Sequence, residues 1–301
     1  MIVAEADRRA QVAVLTRINL DDFQAAMGLD DSHCAAPLLR ASLARPARRF
    51  AELMAAFDAA TAEVGLAEAS RRALRSYIAD LEIFGAERIP AGPFLALANH
   101  PGMTDTLALF CALQRDDLKI IALRRPFLEA LPSVTDHLLF VDEDGTSSWT
   151  LARQAASFLR RGGALLTFPA GRIEPDPDLS TEASAALSSW TDSAGSLIRL
   201  SGDTPILPVL VRGVVWARAA RHPLTVLRRD TQDRERLGAA LQILAQMLWR
   251  LRPVKVRVCV GRPVVLSKSG RSDRATIHRA VLAELRHLIE QAPSGPGVSL
   301  L

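Results

Sequence analysis

His100 and Asp105 have the residue types and the spacing of a catalytic pair. They lie in the segment Leu97-Ala98-Asn99-His100-Pro101-Gly102-Met103-Thr104-Asp105, which joins a short apolar run to the start of a predicted helix. In a continuous helix, residues five apart point to different faces, but the Pro-Gly turn can fold Asp105 back beneath the imidazole. A carboxylate that accepts from one ring nitrogen fixes the tautomer and leaves the other nitrogen free to take a proton. His100 is therefore a candidate general base and Asp105 its orienting carboxylate.

The sequence offers no obvious nucleophile of its own. It contains no Gly-x-Ser-x-Gly segment, so a substrate hydroxyl is expected to attack rather than a serine of the protein. Taken alone, His100 could also be a core histidine with satisfied hydrogen bonds, and Asp105 could simply cap a helix. The remaining histidines lie in no comparable motif and are interpreted as structural: His33, His137, His222, His278 and His287.

Three segments together carry a family resemblance. Residues 99–105 resemble the Asn-His-x-x-x-x-Asp motif of the glycerolipid acyltransferases, which include bacterial 1-acylglycerol-3-phosphate and lysophospholipid acyltransferases. The segment Leu166-Thr167-Phe168-Pro169-Ala170-Gly171-Arg172 is similar to that family's Phe-Pro-Glu-Gly-Thr-Arg motif, here called the third motif. Pro205-Ile206-Leu207-Pro208-Val209 is similar to its Pro-Ile-Val-Pro-Val strand. The order and spacing agree as well, over about residues 85–265.

The resemblance implies an O-acyltransferase that moves a fatty acyl group from an acyl-carrier-protein or coenzyme A thioester to a hydroxyl of a lipid or lipid precursor. It implies no metal or redox cofactor. The oxyanion formed during transfer needs hydrogen-bond donors, for which backbone N–H groups near Gly102 or Gly171 are candidates. The substrate-binding residues expected from the motifs are Asn99, Gly102, Arg124, Arg125, Pro169, Gly171 and Arg172.

Two motifs depart from the family pattern. The glutamate of the third motif is replaced by Ala170, and Arg172 follows Gly171 directly. Where the second motif ends in arginine, this chain has Asp142-Glu143-Asp144. A pocket that exchanges a cation for carboxylates binds a phosphomonoester poorly and favours an amine-bearing or neutral acceptor. Two alternatives stay open: Arg124, Arg125 and Arg172 could form a shifted phosphate site, or Arg172 could merely pair with Glu174 or Asp176.

The bulk composition indicates a folded α/β protein. Of the 301 residues, 49% are hydrophobic, 23% charged and only 5% aromatic, which argues against a disordered chain and an all-β sandwich. Cys34, Cys111 and Cys259 are far apart in sequence, so they are expected to be small buried residues in a reducing compartment.

The net charge of +4 conceals a basic C-terminal third. Between Leu210 and Glu290 there are 17 Arg or Lys and 6 Asp or Glu. Such a surface suits an anionic membrane or an acidic carrier protein, although it could be merely solvated; nucleic acid is not expected, because aromatic stacking groups are not interleaved. A Leu- and Trp-bearing helix near Leu241 is either a core helix or an interfacial one. The arginines that flank it are Arg234, Arg236, Arg250 and Arg252.

Hydrophobic periodicity divides the chain. Residues 1–85 show helical periodicity and are expected to form an N-terminal helical bundle. Residues 86–292 are expected to form one α/β domain, with a mostly parallel sheet covered by helices on both faces, and residues 293–301 a flexible tail. Strands are predicted at 94–98, 118–123, 138–141, 164–168, 206–215 and 254–260, and helices at 104–114, 148–161, 182–200, 234–250 and 273–291.

The chain lacks a secretory signal pattern and an apolar stretch long enough to span a bilayer. We therefore expect a cytoplasmic protein that is peripherally associated with the inner face of the cell membrane. Two other functions remain open. One is a thioester or ester hydrolase in which His100 activates water, and the other is a catalytically inactive protein that binds a lipid or an acyl carrier.

Overall fold

A mostly parallel sheet forms the centre of the protein. The computed structural model describes residues 2–28, 36–142, 148–191, 197, 200–201, 204–265 and 274–301. The strands are β1 (Asp80–Phe84), β2 (Phe94–Ala98), β3 (Lys119–Leu123), β4 (Leu138–Val141), β5 (Ala164–Thr167), β6 (Ile206–Arg212), β7 (Lys255–Val260) and β8 (Val298–Ser299). Their order is β4-β3-β5-β2-β6-β7-β1-β8. Among the strands that the structure describes, only the β6–β7 and β1–β8 pairs are antiparallel, so the predicted sheet type is confirmed.

Helices lie before the sheet and between its strands. They are α1 (Ile2–Ala26), α2 (Ala36–Val64), α3 (Leu66–Leu74), α4 (Thr104–Leu113), α5 (Pro126–Glu129), α6 (Pro132–Thr135), α7 (Ser148–Arg160), α8 (Ala183–Ala186), α9 (Ala217–Ala220), α10 (Thr231–Trp249) and α11 (Arg274–Glu290). Short 3-10 helices span Ala86–Arg88, Leu187–Ser189 and Pro223–Leu227. In the described part of the chain, no helix is both long and apolar enough to cross a membrane.

The central strand β2 is buried on both faces, and its alternating side chains enter two separate cores. Phe94, Ala96 and Ala98 pack with residues of α1 to α4. Leu95 and Leu97 pack on the other face with residues of α7 and α11. The sheet is therefore covered by helices on both sides, which explains why β2 is a continuous apolar run rather than an alternating one.

The register of the strands brings distant loops together. Leu97 of β2 pairs with Thr167 of β5, and Ala98 pairs with Val209 of β6. Parallel strands end at one edge of a sheet, here called the carboxyl edge, so the segments after β2, β5 and β6 are neighbours there. Because β7 is antiparallel to β6, with Arg212 opposite Arg257, the amino end of β7 also lies at the carboxyl edge.

Two predicted boundaries were wrong. Residues 80–84, expected in the helical region, form β1, which pairs with β7 inside the sheet. The expected flexible tail contains β8, whose Val298 pairs with Ile83, while Leu300 N–H donates to Leu81 O at 2.8 Å. The physical reason in both cases is pairing with a remote strand, which supplies hydrogen bonds that local periodicity does not reveal.

The predicted helix over 182–200 is replaced by shorter pieces in its described part. The helix α8 is followed by the 3-10 turn Leu187–Ser189, and Trp190 then takes an extended backbone with ψ 131°. Residues 192–196 and 198–199 of that prediction lie outside the described residues, as do His33, Cys34, Glu143 and Asp144.

Candidate active site

The end of β2 is fixed to its neighbour by Asn99. The side-chain amide of Asn99 donates to Val211 O at 2.8 Å, and its oxygen accepts from Val211 N–H at 2.7 Å. Asn99 is only 3% exposed. These contacts favour a structural clamp between β2 and β6 over the predicted contact with substrate.

His100 and Asp105 meet as the sequence predicts. The Nδ1 atom of His100 lies 2.8 Å from Oδ2 of Asp105, which is fully buried, whereas 27% of the His100 side chain is exposed. The same Oδ2 atom accepts the Gly102 N–H at 3.0 Å, so the Pro-Gly turn is folded around the carboxylate. The helix α4 begins at Thr104, after Met103, whose side chain makes no capping hydrogen bond; Oδ2 of Asp105 binds the loop and its Oδ1 accepts the Thr106 N–H at 2.6 Å.

The surroundings of His100 set its basicity. Burial alone lowers the pKa of His100, but the charge and hydrogen bond of Asp105 and the charge of Glu174 outweigh it. The pKa therefore lies above the ordinary value of imidazole. Because only Nδ1 has a hydrogen-bond partner among the described residues, Nε2 can accept a proton from a bound hydroxyl.

The third motif forms a turn against the histidine. Gly171 N–H donates to Phe168 O at 3.0 Å, and Gly171 has the left-handed φ of 62° that glycine tolerates best. The ring of Phe168 stacks on the ring of His100 with a centroid separation of 4.5 Å and an interplanar angle of 20°. Pro169 is buried, and its carbonyl accepts the Thr191 N–H at 3.3 Å. These contacts place the motif beside His100, as its expected role requires.

The N–H groups of the two glycines near which oxyanion donors were expected have acceptors within the protein. Gly102 N–H donates to Asp105 and Gly171 N–H to Phe168. Each backbone amide has a single proton to donate. In this conformation the N–H groups of these two glycines are not free to bind an oxyanion, and the expectation of donors near them stays a prediction.

The predicted arginines do not form a phosphate clamp. Arg124 is paired with Glu129 at 2.8 Å and with Asp142 at 2.9 Å, and its guanidinium lies 4.6 Å from the centre of the Phe140 ring. Arg125 is exposed at the start of α5. Asp142, expected to make the pocket acidic, is thus bound to a cation.

Arg172 is exposed and lies near Glu235 of α10 rather than in the alternative pair with Glu174 or Asp176. Burial raises the pKa of Glu235 to about 7; the charge of Arg172 opposes this rise, whereas Glu182 and Glu174 add to it. Carboxylates therefore outnumber the cation at this position beside the third motif.

Two buried carboxylates after the third motif were not identified as site residues. Glu174 is 4% exposed and lies against the main chain of His100. Asp176, also 4% exposed, accepts N–H groups of Gly213, Val214 and Val215 after β6. The signal available in the sequence was the acidic spacing Glu174-x-Asp176, in which both residues were considered only as partners of Arg172.

A cleft of about 200 Å³ lies at the opposite edge of the sheet from His100. Phe84 and Val260, at the ends of β1 and β7, line it together with Arg88, Arg262 and Glu284. Its position separates it from the His100–Asp105 pair. Within the described ranges, no group of three His, Cys, Asp or Glu side chains could hold a metal ion.

Comparisons with known proteins match the part of the chain that contains His100 and Asp105. Residues 80–212 match the family model described as Acyltransferase, a span that runs from β1 to the end of β6. The crystal structure of 1-acyl-sn-glycerophosphate acyltransferase PlsC from Thermotoga maritima matches with a TM-score of 0.48 and 19% identity, over 82% of this chain and 83% of that chain. No curated protein matches the chain significantly. The segment from residue 80 to 212, which includes His100 and Asp105, is thus similar to the acyltransferase family.

Proposed function

We propose that this protein is an O-acyltransferase that moves a fatty acyl group from a coenzyme A or acyl-carrier-protein thioester to a hydroxyl of a lipid or lipid precursor. The observation that carries the proposal is the contact of 2.8 Å between His100 Nδ1 and the buried Asp105, within the segment that matches the family model. Since His100 remains partly exposed, a substrate can reach its ring.

The proposed reaction balances without a redox step. Nε2 of His100 takes the proton of the acceptor hydroxyl while the oxygen attacks the thioester carbonyl and forms a C–O bond. Collapse of the tetrahedral intermediate breaks the C–S bond, and the imidazolium returns the proton to the departing sulfur. Asp105 stabilises the imidazolium through its negative charge. The products are an ester and a free thiol.

The acceptor class follows from the charges near the third motif. Arg124 is neutralised by two carboxylates, and Arg172 acts on Glu235, on which the charges of Glu182 and Glu174 also act. A phosphomonoester dianion would face this excess of negative charge, which disfavours its binding. The proposed acceptor therefore carries an amine or a neutral head group beside its hydroxyl.

The test is transfer from a labelled acyl thioester to a panel of acceptors. Glycerol phosphates, lysophospholipids, amino-acid lipids and sugars should be compared, with the ester and the free fatty acid both quantified. His100→Ala should reduce ester formation about 10²- to 10⁴-fold, the contribution typical of a general base. Release of free fatty acid with no acceptor-dependent ester would indicate a hydrolase. No consumption of thioester by the unmutated protein would indicate a binding protein.

We also propose that an exposed apolar corner attaches the protein peripherally to an anionic membrane. The corner comprises Leu248, Trp249 and Leu251, which are 36%, 67% and 37% exposed, together with exposed Arg250 and Arg252. It directly precedes β7, whose amino end lies at the carboxyl edge with His100. Apolar side chains beside cations are suited to the interface of anionic lipids.

Co-sedimentation with vesicles that contain an anionic phospholipid tests this attachment. Trp249→Ala combined with Leu251→Ser should reduce the bound fraction severalfold, because the apolar contact is lost. The matched control is Val265→Ser, which removes an apolar side chain of 66% exposure next to Val264 at the amino end of β6. Equal binding of both variants would contradict the assignment of the corner.

A further inference from the structure

Glu174 forms two hydrogen bonds with the main chain of His100, although it lies 74 positions away in sequence. Its own N–H donates to His100 O at 2.8 Å, and its Oε2 accepts the His100 N–H at 3.0 Å. Since His100 leaves β2 where the ladder of the sheet has ended, these two bonds replace the hydrogen bonds that a longer strand would supply. The orientation of the imidazole thus depends on Glu174 as well as on Asp105.

The second oxygen of Glu174 is anchored in the core. Its Oε1 accepts the indole N–H of Trp190 at 2.6 Å, and Trp190 is only 5% exposed within the core formed with α7 and α11. Both carboxylate oxygens of a 4% exposed side chain therefore have donors. Such bonding holds a charged group in place where its burial would otherwise be costly.

The ionisable groups around this contact come from several elements. Asp105 from α4 and Glu174 from the loop after β5 are the charges that act on His100, and both favour its protonated form. Burial raises the pKa of Glu174 and the charge of Asp105 adds to the rise, whereas the hydrogen bonds from Trp190 and from the His100 N–H, and the charge of His100, oppose it. Glu174 also contributes to the raised pKa of Glu235 in α10. Arg172 acts on Glu235.

We propose that Glu174 is a positioning residue for His100, which fixes the main chain of the histidine and supplies a second negative charge to its ring. No motif of the family resemblance assigns a role to this position. The kinetic part of the proposal rests on the proposed acyltransferase function, whereas the electrostatic part concerns the free protein.

The primary test is Glu174→Gln, measured by NMR titration of the imidazole of His100 without substrate. The amide has one oxygen for two donors, so either His100 N–H or Trp190 N–H must lose its acceptor. The pKa of His100 should move to lower pH because a negative charge is removed. The His100→Ala spectrum assigns the resonance among the six histidines.

Asp176→Asn is the matched control. Asp176 has the same 4% exposure and lies on the same loop, but it binds main-chain N–H groups after β6, and its charge is not among those acting on His100. This variant should leave the pKa of His100 unchanged even if it lowers stability. Equal shifts in the two variants, or none in Glu174→Gln, would overturn the proposal.

Kinetics separate this inference from the proposed function. With the acceptor that supports transfer, Glu174→Gln should lower kcat about tenfold, change KM less than about twofold, and move the acid limb of the pH profile to lower pH. If Glu174→Gln shifts the pKa of His100 but the unmutated protein transfers no acyl group, the positioning role of Glu174 is supported and the transferase function is rejected. If the unmutated protein transfers acyl groups but Glu174→Gln leaves the pKa of His100 unchanged, only the positioning role of Glu174 is rejected.

Trp190→Phe decides the question if Glu174→Gln does not fold. Loss of the indole donor raises the pKa of Glu174, since that hydrogen bond stabilises its ionised form. A larger fraction of Glu174 is then neutral. The pKa of His100 should therefore move to lower pH, as in Glu174→Gln, but by a smaller amount. A His100 pKa equal to that of the parent would overturn the proposal.

Discussion

Asp105 accepts more hydrogen bonds than the orientation of a histidine requires. Its Oδ2 accepts from His100 and Gly102, and its Oδ1 accepts from the backbone and the hydroxyl of Thr106. Burial of a carboxylate without such donors is costly. The same bonds also hold the turn between β2 and α4 in the shape that brings the imidazole to Asp105.

Asp105→Asn should lower kcat/KM about 10²- to 10³-fold and move the acid limb of the pH profile to lower pH. In the proposed reaction His100 acts in its neutral form, so the parent should lose activity as the pH falls through the raised pKa of His100. Removing the charge of Asp105 removes one cause of that rise. Steady-state rates from pH 5 to pH 9 measure the effect, and an acid limb that stays in place or moves to higher pH would contradict it.

The raised pKa of Glu235 makes the stability of the protein depend on pH. Its pKa of about 7 in the folded protein exceeds the ordinary value of 4.5, so ionisation disfavours the fold, increasingly as the pH rises from about 4.5 to 7. Because the group is only partly buried, screening limits the cost to about 1 kcal/mol. Glu235→Gln should therefore be more stable than the parent at pH 8 and nearly equal at pH 4.5. Urea unfolding at both pH values tests this, and a variant less stable at pH 8 would refute it.

At the scale of elements, the site depends on the ends of β2, β5 and β6. The ring of Phe168 follows β5, His100 follows β2, and Asp176 binds the loop after β6. Side chains of the loop after β5 therefore contact both the loop after β2 and the loop after β6. The strands position His100 and Asp105 through contacts that cross the carboxyl edge.

Asn99→Ala should destabilise the protein by about 1–3 kcal/mol, because it breaks two hydrogen bonds and leaves a buried N–H of Val211 without its acceptor. Activity should also fall, since the end of β2 carries His100. The control is Gln291→Ala, an exposed amide after α11. Urea unfolding midpoints of the two variants provide the measurement, and equal stability would show that the clamp contributes little.

At the scale of the whole molecule, the C-terminus closes an edge of the sheet. Arg71 Nε donates to Leu300 O at 2.7 Å, and Leu300 and Leu301 pack against the core formed with α1 to α4. The last residues thus link the helical region to β1. In the sheet order, β8 lies four strands from β2, which is about 19 Å.

Deletion of residues 298–301 should lower the free energy of unfolding by about 1–3 kcal/mol, because hydrogen bonds and apolar contacts with β1 are lost. The distance from His100 predicts that kcat of the folded fraction stays within about twofold of the parent. Thermal unfolding and the rate per folded molecule check both expectations. A large loss of kcat at unchanged stability would contradict both expectations and show that residues 298–301 contribute to activity.

The sequence alone determined the parts of this protein that depend on neighbouring residues. The apolar run Phe94–Ala98 and the Pro-Gly turn place His100 against Asp105 within a few residues, so local patterns predicted both the strand and the contact. Only the tertiary structure decided the partners of Asn99, Arg124 and Glu174. Their contacts join different strand ends and loops, and those meet through the register of a parallel sheet, which depends on packing of the whole chain rather than on local pattern.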